Sequence, residues 1–132
     1  MERDLTWLLE DLVHRVGGID HAVVLSADGL VLTASTQLHR DGAEHLAAIA
    51  SAVHSLAKGL SAQFPVGSPK QALLELEDAY FLVTAAGPRA YLAVLAGRDA
   101  ELGMITYEMV TLVDRAGSFL AAAQREPVTT TP

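Results

Sequence analysis

The 132-residue sequence contains no cysteine, and this absence excludes several classes of function at once. Without cysteine there is no disulfide, no thiolate nucleophile, no zinc–thiolate site and no iron–sulfur cluster. Basic residues are also few: 9 Lys and Arg stand against 16 Asp and Glu, which gives a net charge of −7. Because a nucleic-acid-binding protein needs a basic face to displace phosphate counterions, we do not expect a nucleic-acid partner.

Long apolar runs are missing as well. The longest, Ala90 to Ala96, is far shorter than the roughly 20 residues that a membrane-spanning helix requires. The first residues, Met-Glu-Arg-Asp, lead into an amphipathic pattern that is not typical of a signal peptide. Apolar residues nevertheless make up 51% of the chain, which is ample for a packed core. We therefore expect a cytoplasmic protein that does not insert into a membrane.

Motifs that carry chemistry are absent too. Neither of the glycine-rich motifs of nucleotide-binding loops, G-x-x-x-x-G-K-[ST] and G-x-G-x-x-G, occurs. Among the histidines, His45 and His54 are nine positions apart on one predicted helix and would point in opposite directions. Ser26, Asp28 and His21 could be drawn as a nucleophilic triad, but no G-x-S-x-G motif accompanies them. The sequence therefore predicts a non-enzyme with no catalytic residue, no cofactor and no metal ion.

The spacing of apolar residues predicts elements in the order α-β-β-α-β-β-β-α. The first two strands form a hairpin around Asp28-Gly29, a dipeptide typical of tight turns. Short connections force the last three strands into antiparallel hairpins. These elements predict an α/β (α+β) fold, in which helices flank a five-stranded, mainly antiparallel sheet. The predicted bounds are Leu5–Val16, His21–Leu25, Leu30–Ala34, Asp41–Ala62, Lys70–Leu76, Ala79–Ala85, Ala90–Ala96 and Ala100–Ala123.

The second predicted helix has a stripe of large apolar residues with small residues on both sides. The small residues on one side are Ala43, Ala50, Ala57 and Ser61. We expect the stripe of large residues to pack on the sheet: Leu46, Ile49, Val53, Leu56 and Leu60. The stripe beside it is small, and would let another helix approach closely: Ala48, Ala52, Ser55 and Gly59. We predict that this small stripe, with Leu73 and Glu75 of the third strand, forms a two-fold homodimer interface. The alternative is that the small residues face the chain's own sheet.

The pattern as a whole resembles the roadblock/LC7 family. Besides the element order and the small-residue helix, the resemblance rests on the first hairpin, Ala22-Val23-Val24-Leu25-Ser26-Ala27-Asp28-Gly29-Leu30-Val31-Leu32. It also rests on the turn from Leu73-Leu74-Glu75-Leu76 into Tyr80-Phe81-Leu82-Val83. The resemblance covers Leu5 to about Ala123. It implies one roadblock/LC7-type domain with profilin-like topology at residues 1–125, followed by a flexible tail at 126–132.

The function implied by this resemblance is non-enzymatic. Members of the family dimerise through the second helix and the third strand, and they regulate or scaffold small Ras-like GTPases. The resemblance implies a homodimer that binds a small Ras-like GTPase in bacterial signalling, and leaves open whether it modulates GTP hydrolysis. The alternatives are a nucleotide-independent scaffold for a sensor-kinase or membrane-associated complex, and a small-ligand sensor with an internal cavity. The implied partner surface lies on the paired second helices, with these polar candidates: Glu44, Ser51, His54 and Lys58.

Overall fold

The computed structural model describes the backbone of residues 2–129 and the side chains of residues 6–117. Within these limits the chain forms three helices and five strands in the predicted order, so the predicted fold class is confirmed. The elements are α1 Glu2–Arg15, β1 Ile19–Ser26, β2 Val31–Ala34, α2 Arg40–Gln63, β3 Gln71–Glu75, β4 Ala79–Ala85, β5 Ala90–Gly97 and α3 Leu102–Thr129.

The largest difference from the predicted bounds lies at the end of α3. The prediction placed its last residue near Ala123, whereas the helix continues to Thr129 and so enters the segment 126–132 that the sequence assigned to a tail. That assignment rested on the lack of a packing pattern. The Ala-rich run before the segment has high helix propensity, which favours continuation of the helix. Residues 130–132 lie outside the described part of the chain.

The five strands form one antiparallel sheet in the order β2-β1-β5-β4-β3. The hairpin of β1 and β2 and the meander of β3, β4 and β5 meet where β1 pairs with β5, for example at Ala22 opposite Val94. The turn of the first hairpin has positive φ at Gly29, at +87°, but not at Asp28. In this strand order, β2 and β3 lie at the two edges of the sheet.

Helices cover both faces of the sheet, with α1 and α3 on one face and α2 on the other. Because side chains alternate along a strand, β1 sends Ala22 and Val24 to the α1–α3 core and Val23 and Leu25 to the α2 core. The helices complete the first core with fully buried side chains, among them Leu9, Ile105 and Met109.

Charged side chains also join α1 to α3 at the surface. The Asp11 carboxylate accepts hydrogen bonds from the guanidinium groups of Arg15 at 2.8 Å and Arg115 at 3.4 Å. The Arg115 guanidinium lies 5.4 Å from the ring centroid of Trp7, a residue that is 49% exposed. Exposed ion pairs contribute little to stability, so the buried apolar residues between the two helices hold them together.

The connection from α1 to β1 requires glycine at position 18. Gly18 has φ +99°, a conformation that side chains rarely adopt, and a Cβ there would lie 2.7 Å from the Cβ of Ala100. The backbone N–H of Gly97 donates to the carbonyl of Gly18 at 2.8 Å, which fixes this turn against the end of β5. A Cβ added at the preceding Gly17 would meet no neighbouring atom within 4 Å.

We expect Gly18→Ala to lower the free energy of unfolding by about 1–3 kcal/mol, because it adds backbone strain and a contact with Ala100 that is too short. Urea unfolding measures this loss. The matched control is Gly17→Ala, for which we expect a change within about 1 kcal/mol. Equal losses for the two variants would contradict the geometry of this turn.

Candidate functional site

The residues of α2 that face the sheet are small. Three of them are buried and pack with Phe81 and Val83 of β4: Ala43, Ala47 and Ala50. At helical spacing they continue into a set that we call the sheet-facing stripe: Ala43, Ala47, Ala50, His54, Ala57 and Ser61. Five of its six residues are small, and short side chains let the helix lie close to the sheet.

The predicted stripe of large apolar residues has a different position from the one expected. Leu46 and Val53 are partly buried at the edge of the α2 core. The other three residues are largely exposed: Ile49 by 48%, Leu56 by 76% and Leu60 by 57%. The expectation that this whole stripe packs on the sheet is therefore wrong. The α2 core already holds large side chains from the strands, so alanines fit opposite them. We call Ile49, Leu56 and Leu60 the outer apolar face.

The predicted dimer residues of α2 lie beside the outer apolar face. Ala48, Ala52, Ser55 and Gly59 are all exposed, so the alternative that they pack on the chain's own sheet is wrong. On the helical wheel they adjoin Leu56 on the side away from Leu60. Together the two sets make a broad surface of small and large apolar side chains facing away from the sheet. Their role in a dimer stays a prediction.

The two flanks of α2 point to opposite edges of the sheet. Ser51 lies next to the β1–β2 turn, where a Cβ on Gly29 would be 3.3 Å from the Ser51 Cβ, so this flank faces the β2 edge. Leu46 and Val53 lie on the other flank of the helix and therefore face the β3 edge. The outer apolar face thus lies on the side of α2 that leads towards β3.

β3 has one open edge, as the dimer prediction requires. The N–H of Leu76 donates to the carbonyl of Ala79 at 2.8 Å, and the register places Leu74 opposite Phe81. In an antiparallel ladder, residues that bond to the partner strand alternate with residues whose N–H and C=O point away from it. The outward-pointing residues of β3 are therefore Gln71, Leu73 and Glu75.

Exposed apolar side chains extend from α2 through the following loop to β3. Leu73 is 49% and Leu74 42% exposed, one on each face of the sheet. We call this set of exposed side chains the apolar surface: Ile49, Leu56, Leu60, Phe64, Val66, Leu73 and Leu74. Scattered exposed leucines are ordinary on a monomer, but an exposed apolar patch is typical of an interface.

The predicted polar partner residues do not share the outer face of α2. Glu44 is exposed and lies 3.9 Å from the guanidinium of Arg40, and Lys58 is exposed one turn after His54. Ser51 and His54 are only partly exposed, because they face the β1–β2 turn and the sheet. Only Glu44 and Lys58 are thus fully available, and their contact with a partner stays a prediction.

His54 contacts the sheet directly. Its ring centroid lies 4.0 Å from that of Tyr91 on β5, with the ring planes tilted by 40°. Loss of solvent around the imidazole lowers the pKa of His54 below its ordinary value of 6.5, and the positive charge of Lys58 lowers it further. The ring is therefore neutral at neutral pH. The sequence placed His54 on the polar side of the helix, and nothing in its pattern indicated the contact with Tyr91.

A surface groove of about 650 Å³ lies between β2 and the start of α2. It is lined by Gly29, Leu30, Val31, Ala34, Leu38, Arg40, Ala43 and Glu44. The small-ligand alternative required an enclosed cavity in the core, whereas this groove opens at the β2 edge. In the described part of the chain, no three histidine or carboxylate side chains are placed to hold a metal ion. Nor does any described helix combine the length and the apolar character needed to cross a membrane.

The sequence model of a protein family, the Roadblock/LC7 domain, matches residues 5–96 of this chain. The chain belongs to the Roadblock/LC7 family. A crystal structure of a Roadblock/LC7 domain from Streptomyces avermitilis is 39% identical, with a TM-score of 0.84 over 88% of this chain and 97% of that one. Another from the same organism is 46% identical, with a TM-score of 0.71 over 84% and 96%.

More distant structures share the fold alone. MglB from Myxococcus xanthus is 13% identical, with a TM-score of 0.82 over 92% of this chain and 90% of that one. Profilin from Schizosaccharomyces pombe is also 13% identical, with a TM-score of 0.63 over 87% and 98%. The predicted roadblock/profilin-like topology is therefore confirmed. A search of curated proteins finds no match.

We expect Ala47→Leu to lower the free energy of unfolding by about 1–3 kcal/mol, because Ala47 is 0% exposed and a larger side chain would push α2 away from the sheet. Urea unfolding at one fixed protein concentration measures this effect. The control on the same helix is the exposed Ala62, for which Ala62→Leu should stay within about 0.5 kcal/mol. A neutral Ala47→Leu variant would contradict the observed orientation of α2.

Proposed function

We propose that this protein is a non-enzymatic homodimer that binds a small Ras-like GTPase as its regulator or scaffold. Membership of the Roadblock/LC7 family supports the class of function. The observation that carries the homodimer is the apolar surface, because it joins the exposed side of α2 to the open edge of β3. A regulator of this kind works through its surfaces and needs no catalytic residue of its own.

Burial of the outer apolar face would favour association strongly. Removing a leucine side chain from water contributes about 1.5–3 kcal/mol, and the face presents Leu56 and Leu60 with more than half of each exposed. In a two-fold dimer the same patch meets itself, so each favourable contact occurs twice. The adjoining Ala52 and Gly59 would let the two copies of α2 approach closely.

The β3 edge adds a second, backbone contribution. The free N–H and C=O groups of Leu73 and Glu75 point away from β4, and an uncovered strand edge tends to pair with another strand. Pairing of β3 with its symmetry mate would join two five-stranded sheets into one of ten strands. The alternating register would then place Leu74 of each copy on the α2 face, next to the paired helices.

We expect Leu56→Glu and Ala52→Glu each to give a folded monomer, because each introduces a buried, unpaired charge at the centre of the proposed contact. Analytical ultracentrifugation gives the mass, and circular dichroism confirms the fold. The control Ala27→Glu places the same charge on an exposed position of the β1–β2 turn, outside the proposed interface, and should stay dimeric. Dimeric Leu56→Glu and Ala52→Glu variants of normal stability would place the interface elsewhere.

GTPase binding is tested by capture from a native extract of the source cells. With the protein as bait, parallel samples contain excess GDP or a non-hydrolysable GTP analogue. We expect a small GTPase to be captured in one nucleotide state, after which turnover assays show whether its hydrolysis changes. Capture of the same partners in both states would favour the nucleotide-independent scaffold. Failure to capture any GTPase in either state would contradict GTPase binding.

Variants of the exposed polar residues of α2 test which part of the surface contacts the GTPase. We propose Glu44 and Lys58 as partner contacts beside the dimer interface, because both side chains are free of the chain's own core. Glu44→Lys should then weaken capture while leaving the dimer intact. The control Asp114→Lys makes a matched charge change at an exposed position of α3, on the opposite face of the sheet. Equal capture by the two variants would remove Glu44 from the partner surface.

A further inference from the structure

The two ends of β3 differ in charge. The strand Gln71–Glu75 has five residues, with Leu73 at its centre. Gln71, Leu73 and Glu75 share one face of the sheet, because side chains alternate along a strand and Leu73 lies opposite Leu82 of the α1–α3 core. The same three residues point their N–H and C=O groups to the open edge. The edge therefore presents a neutral amide, an apolar side chain and a carboxylate in one row.

Both polar side chains of this row are available to a second strand. The Nε2 of Gln71 donates a hydrogen bond to the hydroxyl of Thr84 at 2.9 Å, which orients the amide and leaves its second N–H to donate elsewhere. Glu75 is exposed, and among the described side chains no cation lies within ion-pairing distance of its carboxylate. Within one chain the two residues lie four positions apart on an extended strand, about 13 Å, so they do not meet.

Symmetry leaves few ways to pair β3 with a second copy of itself. In an antiparallel ladder, a residue that faces the open edge must lie opposite another such residue. A two-fold pairing is therefore centred on one residue, which meets its own copy. Centred on Leu73, the pairing joins all five residues of β3. Centred on Ala72 or Leu74, it joins fewer residues, and centred on Glu75 it places two carboxylates opposite each other, which is destabilising.

We propose that the homodimer has one register, in which Leu73 lies on the two-fold axis and Gln71 lies opposite Glu75 of the partner subunit. This pair occurs twice, once on each side of the axis. In each pair the Gln71 amide donates to the carboxylate of the partner's Glu75, and a hydrogen bond to a charged acceptor is stronger than one between neutral groups. On the other face of the sheet, Leu74 then lies opposite the partner's Ala72. The register rests on the proposed homodimer.

This register also gives the edge of β3 a preference for its own copy. A foreign strand with an apolar residue opposite Glu75 would lose the hydrogen bond, and one with a carboxylate there would place like charges together. A second β3 presents the amide of Gln71 at that position and receives the same bond in return. The two ends of β3 thus specify a partner strand as well as a position along it.

Single cysteines report the register directly, because the chain has none of its own. Residues of a hydrogen-bonded antiparallel pair have Cα atoms about 5.5 Å apart, a distance that a disulfide spans. Under mild oxidation we expect Leu73→Cys to form a disulfide-linked dimer. The matched control Leu74→Cys should link several-fold more slowly, because its two copies are diagonal neighbours about 7–8 Å apart. Gln71→Cys and Glu75→Cys should link to each other in an equimolar mixture, but neither to itself.

A charge exchange tests the polar pair itself. Gln71→Glu places two carboxylates opposite each other and should raise the dissociation constant of the dimer several-fold, measured by analytical ultracentrifugation. Adding Glu75→Gln restores one amide and one carboxylate to each pair and should return the constant to that of the unmodified protein. The matched control adds Asp114→Asn instead, an exposed position of α3. It restores the same net charge without restoring the pair, so its dimer should stay weak.

The outcomes separate the register from the homodimer. Faster linking of Leu74→Cys than of Leu73→Cys, or a charge exchange without recovery, would overturn the register. If Leu73→Cys is monomeric under reducing conditions, the mixture of Gln71→Cys and Glu75→Cys decides. An unmodified protein that is monomeric would overturn the homodimer and the register together. A dimeric protein in which neither Leu73→Cys nor the mixture links would keep the homodimer and overturn the register alone.

Discussion

The close approach of α2 to the sheet is the constraint on which the rest of the structure depends. β1, β4 and β5 already fill the α2 face with large side chains such as Leu25, Phe81 and Tyr91. A helix can lie over them only with small residues, and Ala43, Ala47 and Ala50 meet this requirement. The helix therefore leaves the outer apolar face exposed, and of its large apolar residues only Leu46 and Val53 pack against the α2 core. That single orientation creates the surface on which the proposed homodimer depends.

The fold could be predicted well from the sequence, because it depends on patterns within single elements. Apolar periodicity identified all eight elements, and the short connections around 77–78 and 87–89 required antiparallel pairing. The orientation of α2 could not be predicted in the same way. Its wheel carries a stripe of large apolar residues between two sets of small residues. Which of these three sets packs on the sheet depends on the volume already filled by the strands, a property of the assembled core. For the same reason the contact of His54 with Tyr91 had no signal in the helix sequence.

The two parts of the apolar surface support each other. A helix face of Leu56, Leu60 and Ala52 alone could bind many kinds of partner, and an open strand edge alone could be protected by its charged residues. Here both lie on the same side of the molecule, and the outward backbone groups of β3 belong to Leu73 and Glu75. A second copy of this chain offers complementary groups to both at once. This is the physical basis for the proposed symmetric homodimer.

The most direct measurement is the amide hydrogen-exchange rate of Leu73 and Glu75, recorded by NMR at protein concentrations above and below dimerisation. The carbonyl oxygens of β4 do not accept hydrogen bonds from these two N–H groups, so in a monomer they should exchange rapidly. The account predicts that both become slow at high concentration, while Leu74, which already faces β4, changes little. Rapid exchange of Leu73 and Glu75 in a protein shown to be dimeric would contradict pairing through β3.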